Sequence, residues 1–346
     1  MLLLVGNPTA QSGRNAERID SARTLLARKD LAHSFCATTP AGGTVKDVAR
    51  RLREGNFEAV VAMGGDGTFA EVAKALLLSG VQIPLGMLPT GTANDQGRSF
   101  GLSSAPSALA RNVDVLAGGH TAPLDAGKVV AFDDLDNELG TDWFFDSMGL
   151  GMSARVLRVR NEDREFVSHF PFLRDVYRDQ LVYAGAMLRA LLVGYVDEHF
   201  FEAEVTTPHG VQFLQGLTDL IVKNTRYYAG AWIFDPTSSP EDGEMELVPL
   251  RGRQELVARA LVHLPALPMT DLRIDPLFKL SPITRSPSFY VRVLERPMSS
   301  PVEAQVDGEE YVRAASYRIE VLRHALQLIV PSNVAAIDAP EPEASE

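Results

Sequence analysis

Residues Val60 to Val72 read Val-Val-Ala-Met-Gly-Gly-Asp-Gly-Thr-Phe-Ala-Glu-Val, and they hold the densest chemistry of the chain. An apolar strand runs into the turn Gly64-Gly65-Asp66-Gly67-Thr68, and the turn runs into a helix carrying Glu71. Glycines let a backbone approach an anion closely, and a helix start presents N–H groups to it. Asp66 stands in the middle of that cradle, where a bare carboxylate would repel phosphate. A divalent cation between the two removes the conflict, as in magnesium–nucleotide sites, so the pattern points to phosphoryl transfer rather than dinucleotide binding. The match of Gly65 to Ala70 with G-x-G-x-x-A is weak support for a dinucleotide site. That fold places its turn after the first strand and an acid at the end of the next. Here the turn follows the third strand, the next strand ends in Leu88-Pro89-Thr90, and no G-x-x-x-x-G-K-[ST] loop occurs. A tight turn without a ligand is the alternative reading.

Two further turns follow strands. In Thr90-Gly91-Thr92-Ala93-Asn94-Asp95, hydroxyls and backbone N–H groups suit phosphate, and Asp95 suits the outer shell of a metal. The alternative is an Asn-Asp helix cap. In Asn7-Pro8-Thr9-Ala10-Gln11-Ser12-Gly13-Arg14, Arg14 would face phosphate. The elements around these turns alternate. Strands are expected at Leu2–Val5, Leu31–Ala37, Ala59–Met63 and Ile83–Leu88, and helices at Arg14–Arg28, Thr44–Arg53 and Thr68–Leu78. Such alternation predicts a doubly wound α/β domain with its ligand at the carboxyl ends of the strands. After Asp125 the texture changes to strands at Trp143–Met148, Phe200–Thr206, Val211–Val222, Met245–Leu250, Ser288–Leu294 and Tyr317–Leu322, separated by Gly, Pro and Asp turns. This predicts an antiparallel β-sandwich-like domain, with a helix over Leu173–Val193. The expected boundaries are 1–124 (with a returning segment 325–334), 125–324, and a disordered acidic tail 335–346.

The 346-residue chain is 45% hydrophobic and 23% charged, the composition of a globular protein. Its net charge of −12 argues against broad nucleic-acid binding. Cys36 is the single cysteine, which excludes an intramolecular disulfide framework and a Cys-rich zinc site. The seven histidines show no metal-ligand pairing. No apolar run approaches the ~18 residues of a membrane span, and the apolar start Met1-Leu2-Leu3-Leu4-Val5 reads as a buried strand.

Taken together, Asn7-Pro8 with Ser12-Gly13, Gly64 to Thr68 with Glu71-Val72, and Gly91-Thr92 with Asn94-Asp95 and Arg98 resemble the diacylglycerol kinase catalytic domain. That family includes bacterial lipid kinases and is similar to sphingosine and ceramide kinases. The resemblance continues through Ser147 to Ala154, Asn224 to Gly230, Ser239 to Gly243 and Val306-Asp307-Gly308-Glu309, in family order. It implies a two-domain kinase that uses ATP and Mg²⁺ and phosphorylates a lipid hydroxyl, with diacylglycerol as the leading acceptor. Catalytic roles fall on Glu309 as base and on Asp66. Asp66, Asp95 and Asp125 form a carboxylate set around a hydrated metal, and Asp242 lies in a structural metal loop. For Asp307-Gly308-Glu309 a plain β-turn is the reading in isolation, and for the Asp242 loop a β-turn with no metal is the alternative. Asn7, Pro8, Ser12, Arg14, Gly64, Gly65, Gly67, Thr68, Glu71, Thr90, Gly91, Thr92 and Asn94 are the expected nucleotide contacts. The implied partners are a lipid at a membrane surface, with peripheral contact from the cytoplasm, no nucleic acid, and room for a homodimer. NAD kinase, which shares the Gly-Gly-Asp-Gly turn, and a catalytically silent nucleotide- or lipid-binding regulator are the rivals. Ala93 and Gln96 depart from the family, which has Gly and often an aromatic residue there, and altered nucleotide fit is expected from them.

Overall fold

The computed structural model describes residues 1–40, 42–91, 94–155, 157–158, 199–228, 232–252, 255, 258–259, 280–294 and 301–332. The helix expected at Leu173–Val193 and the acidic tail 335–346 lie outside the described residues. The chain divides into two compact units. One holds Met1–Ala122 with the described part of Leu326–Glu346, and the other holds the described parts of Pro123–His263 and Arg273–Ala325.

The first unit alternates β1 (Leu2–Gly6), α1 (Arg14–Arg28), β2 (His33–Ala37), α2 (Gly43–Glu54), β3 (Ala59–Gly64), α3 (Asp66–Ser79) and β4 (Leu85–Pro89), followed by α4 (Asp95–Ser99) and α5 (Leu109–Gly118). The strands run parallel in the order β2-β1-β3-β4. Every residue of β1, β3 and β4 is buried, as expected of strands covered on both faces. The inward stripe of α1 (Ile19, Ala22, Leu26) packs with Leu109, Val113 and Leu116 of α5 on Leu4, Val61 and Met63. α2 and α3 pack against each other, burying Val48, Ala49 and Leu52 of α2 and Phe69, Val72, Ala73 and Leu76 of α3. Burying each large side chain contributes about 1.5–3 kcal/mol. The winding reverses between β1 and β3, where the chain leaves β1 for one neighbour and later enters β3 on the other side. Such a switch point opens a crevice at the carboxyl ends of the strands. Gly6, Gly64 and Pro89 end their strands there, so the three predicted turns share one edge.

The second unit is antiparallel. After β5 (Thr121–Phe132) come β6 (Glu138–Phe144), β7 (Ser147–Gly151), β8 (Phe201–Thr207), β9 (Gly210–Leu217), β10 (Asp219–Lys223), β11 (Tyr227–Tyr228), β12 (Trp232–Ile233), β13 (Met245–Leu250), β14 (Thr284–Ser286), β15 (Ser288–Leu294), β16 (Ala304–Val306), β17 (Glu309–Tyr311) and β18 (Ser316–Ile329). One sheet orders β18-β15-β8-β9 and the other β14-β13-β10-β7-β16-β17. Their facing side chains, among them Ala203, Val205, Phe289, Val291, Tyr317 and Ile319 against Met148, Leu150, Leu220, Val222, Met245 and Leu247, form one core. β18 then supplies Leu328, which pairs in parallel with Leu85 in the first unit's sheet.

Two expected strands are each broken into two. Trp143–Met148 is interrupted at Phe145-Asp146, whose N–H groups are taken by the Asp307 carboxylate instead of a neighbouring strand. Val211–Val222 is interrupted at Thr218, which bonds Leu250, so that β9 and β10 enter different sheets. Gly127 sits opposite Phe144 across β5 and β6, and the Phe144 ring covers it. A Cβ on Gly127 would lie 2.7 Å from Phe144 Cε2, with two ring atoms closer still. Gly127→Ala is expected to destabilise the protein by about 1–3 kcal/mol through overpacking, read as a lower urea midpoint at unchanged slope. An unchanged midpoint would show that the ring can move aside.

Candidate functional site

The glycine turns after β3 and β4 touch backbone to backbone. A Cβ built on Gly91 would stand 2.5 Å from the Gly65 Cα, and one on Gly65 would stand 3.3 Å from the Gly91 Cα. The Thr90 N–H donates to the Gly64 carbonyl at 2.8 Å. Asn94, at φ 50°, closes the second turn on itself. Its Oδ1 accepts the Gly91 N–H at 3.1 Å, and its Nδ2 donates to the Gly91 carbonyl at 2.5 Å. The side chain of Asn94 is therefore spent on shaping the turn, and it does not cap α4. The Gln96 N–H donates to Asp66 Oδ1 at 3.3 Å, which brings Asp66 to the start of α4, where Asp95 is buried. α3 starts at Asp66 with no side-chain cap, and the Phe69 N–H is the one that reaches the Gly65 carbonyl, at 3.1 Å. The first-turn N–H groups of Gly67 and Thr68 thus have no intrahelical acceptor, which is the arrangement that attracts an anion. Thr68 packs against Gly64, where a Cβ would meet Thr68 Cγ2 at 2.9 Å. Glu71 is half-buried one turn further along α3.

The loop after β1 is shaped by Asn7, whose Oδ1 accepts the Thr9 N–H at 3.0 Å and the Thr9 hydroxyl at 2.8 Å across Pro8. The side chains of Ser12 and Arg14, and the whole of Thr92, lie outside the described residues. Two residues escaped the sequence reading. Asn15 is fully buried and donates to the Asn7 carbonyl at 2.7 Å. Arg18 donates to the Ser104 carbonyl at 2.9 Å and lies 3.5 Å from the carbonyls of Pro89 and Thr90, so α1 holds the β4 turn in place. Burial lowers the Arg18 pKa from its ordinary value. The available signal was spacing: positions 15, 18, 19, 22 and 26 form one inward stripe, and two of them are polar. Gln96 is fully buried, and neither of its amide atoms has a hydrogen-bond partner among the described residues.

In the second unit, Asp125 is fully buried. Its two oxygens accept the N–H groups of Gly243 at 2.7 Å and His324 at 2.6 Å, and its own N–H donates to the Pro240 carbonyl at 2.7 Å. Through these bonds Asp125 fastens the Pro240–Gly243 loop to β18. Asp242 is exposed and accepts the Glu244 N–H at 2.9 Å in a side-chain turn. Among the described residues, no group of three or more His, Cys, Asp or Glu side chains could hold a metal ion. Among the described residues, neither the Asp242 loop nor the Asp66–Asp95 region gathers three such side chains. Asp307 and Gly308, at φ 47° and 79°, form a two-residue hairpin turn between paired Val306 and Glu309, and Glu309 stands exposed beside it.

The same sheet carries a polar row, buried except at Arg285, that the sequence did not disclose. Arg285, Glu246, Lys223 and Ser147 are successive cross-strand partners on the face turned away from the sandwich core. Lys223 is 1% exposed and donates to the Tyr227 carbonyl at 2.6 Å, with the Tyr228 ring centroid 5.1 Å away. Glu246 is pushed up to about 7 by burial, against the opposing pull of its bond from Ser238 and of Arg285. At the far end of β10, Asp219 is also pushed up to about 7 by burial, while Ser153 donates to it through N–H and hydroxyl.

Gly91→Ala is expected to weaken nucleotide binding at least tenfold, because the facing backbone of Gly65 cannot yield to a methyl group. Calorimetric titration with Mg-ATP checks this, and unaltered affinity would contradict the cradle. The raised Asp219 carboxyl favours the folded state when protonated. Its contribution is complete below the unfolded carboxylate pKa near 4 and is lost as pH rises through about 7. Denaturation midpoints should therefore fall between pH 5 and pH 8, with a shallower fall in Asp219→Asn.

Comparison with known families matches residues 1–129 to the diacylglycerol kinase catalytic domain. The diacylglycerol kinase of Staphylococcus saprophyticus is 31% identical over 126 residues, which is 36% of this chain and 40% of that protein. A Klebsiella pneumoniae protein named "Probable lipid kinase YegS-like" is 36% identical over 117 residues, or 34% of this chain and 38% of that one. The match thus spans about 40% of the length of these curated relatives. Among solved structures, a diacylglycerol kinase of Bacillus anthracis superposes with a TM-score of 0.68 at 18% identity, covering 96% of this chain and 98% of the other. Yeast NADH kinase superposes with a TM-score of 0.54 at 10% identity, covering 100% and 89%. At such identities these structures show a shared fold. Residues 1–129 are thus similar in sequence to the diacylglycerol kinase catalytic domain, and the chain as a whole shares the fold of these kinases.

Proposed function

We propose that this protein is a lipid kinase that transfers the γ-phosphoryl group of ATP to a hydroxyl of a lipid, with diacylglycerol as the leading acceptor. The observation that carries the reading is the pair of abutting glycine turns at the switch point, with the uncapped start of α3 and Asp66 beside them. The cradle suits a magnesium–polyphosphate. Uncapped N–H groups receive the anion, and the glycine backbones occupy places where no Cβ fits. Asp66 and Asp95 are too few to hold a metal alone, which matches a cation that keeps water and phosphate oxygens as most of its ligands. Gly64, Gly65, Gly67, Thr68, Asn7, Thr90 and Gly91 would hold phosphate. When bound, Mg²⁺ would neutralise charge on the phosphates. Glu309 would accept the proton of the attacking hydroxyl, and the remaining gain would come from alignment and fixed dipoles. A lipid acceptor requires a visit to a membrane surface. Among the described residues no helix is long and apolar enough to cross a membrane, so the proposed contact is peripheral and reversible.

The fold shared with yeast NADH kinase supports one rival, a kinase acting on a nicotinamide dinucleotide. Incubation of the purified protein with labelled ATP, Mg²⁺, and vesicles of diacylglycerol and other hydroxyl lipids, alongside NAD and NADH, separates the two. Label is expected in a lipid, with Asp66→Ala lowering turnover at least a hundredfold. Label in the dinucleotide alone, or full turnover by Asp66→Ala, would overturn the proposal.

A further inference from the structure

We infer that Asp307 is a positioning residue that sets the direction of Glu309; this rests on the base role proposed above. Asp307 is 8% exposed, and its carboxylate is filled by three main-chain donors from one segment. Oδ2 accepts the Phe145 N–H at 2.9 Å, and Oδ1 accepts those of Asp146 at 2.9 Å and Ser147 at 3.0 Å. The Asp307 N–H returns a bond to the Ser147 carbonyl at 2.8 Å, and Gln305 Oε1 accepts the Gly308 N–H at 2.8 Å. The hairpin tip is thereby bolted to residues 145–147 through Asp307, while Gln305 holds Gly308 within the hairpin itself.

The segment it is bolted to is itself fixed. Asn224 Nδ2 donates to the Phe145 carbonyl at 3.0 Å, the Thr225 hydroxyl donates to Asp146 Oδ1, and the Asn224 N–H donates to the Asp146 carbonyl at 2.8 Å. All of these groups are buried, where hydrogen bonds to an ionised acceptor are strong and their loss is costly. Glu309 follows Gly308 directly and is exposed, so its side chain has freedom while its backbone has almost none. A base of this kind gains from a fixed origin, since small misplacements of a reacting group cost large factors in rate. Asp307 also adopts the left-handed conformation that Asp and Asn tolerate best, so Asn is the conservative replacement.

The test is a double-mutant cycle with an exchange measurement. Glu309→Gln is expected to lower kcat about 10²–10⁴-fold. Asp307→Asn, which keeps the Oδ1 acceptor but opposes the Phe145 N–H with an amide donor, should lower kcat about tenfold with KM for ATP within twofold, and Asp307→Ala should lower it further. The double variant Asp307→Asn/Glu309→Gln should be no slower than Glu309→Gln alone, because Asp307 acts through Glu309. Multiplied losses in the double variant, or an undiminished kcat in Asp307→Asn, would overturn the inference while leaving the base role intact. Full activity of Glu309→Gln would overturn the base role itself. Independently of activity, amide exchange at Phe145, Asp146, Ser147 and Gly308 should accelerate in Asp307→Ala. Unchanged protection would overturn the inference even if the wild-type protein phosphorylated no lipid.

Discussion

Two backbones meeting where no side chain fits set the limits of the first unit. Gly65 and Gly91 approach so closely that a methyl on Gly91 would force the turns after β3 and β4 apart. Around that contact the polar atoms are turned inward to hold shape: Asn94 onto Gly91, Thr90 onto Gly64, and Gln96 onto Asp66. Arg18 and Asn15 extend the same work to the loop after β1, so three turns from three strands are joined by hydrogen bonds to main-chain groups. The N–H groups at the start of α3 lack a side-chain cap because the residue at the capping position is Gly65.

The second unit uses the opposite means to a related end. Its fixed points are charged groups in dry surroundings. Asp125 holds one loop, Asp307 another, and Lys223 a third, each by bonds to backbone. A charge in such a place is tolerated when its hydrogen bonds are complete and is expensive when they are not. Glu246 and Asp219 show the cost in their raised pKa values.

The alternation of the first unit was legible because its signals are local. α1 spans Arg14–Arg28 as its apolar spacing implies, and β1, β3 and β4 differ from the expected strands by a residue or two at their ends. The glycine turn was legible for the same reason. The second unit was less so. Val211–Val222 reads as one strand because its residues are uniformly strand-formers, yet the chain changes sheets at Thr218, held by Leu250 more than thirty residues away. Asp125 and Asp307 are ordinary turn acids in sequence, and nothing adjacent to them announces the amides they bind.

The sequence by itself determined the strand–turn–helix order, the glycine positions where the backbone must come close, and the location of the acids, since each depends on conformational preferences within a few residues. Tertiary structure alone decided which polar groups face a prospective ligand and which are consumed internally. Asn94, Asp125 and Asp307 were turned inward, and Lys223 and Glu246 were paired across strands, because a buried donor or acceptor must find its partner wherever the fold has brought one.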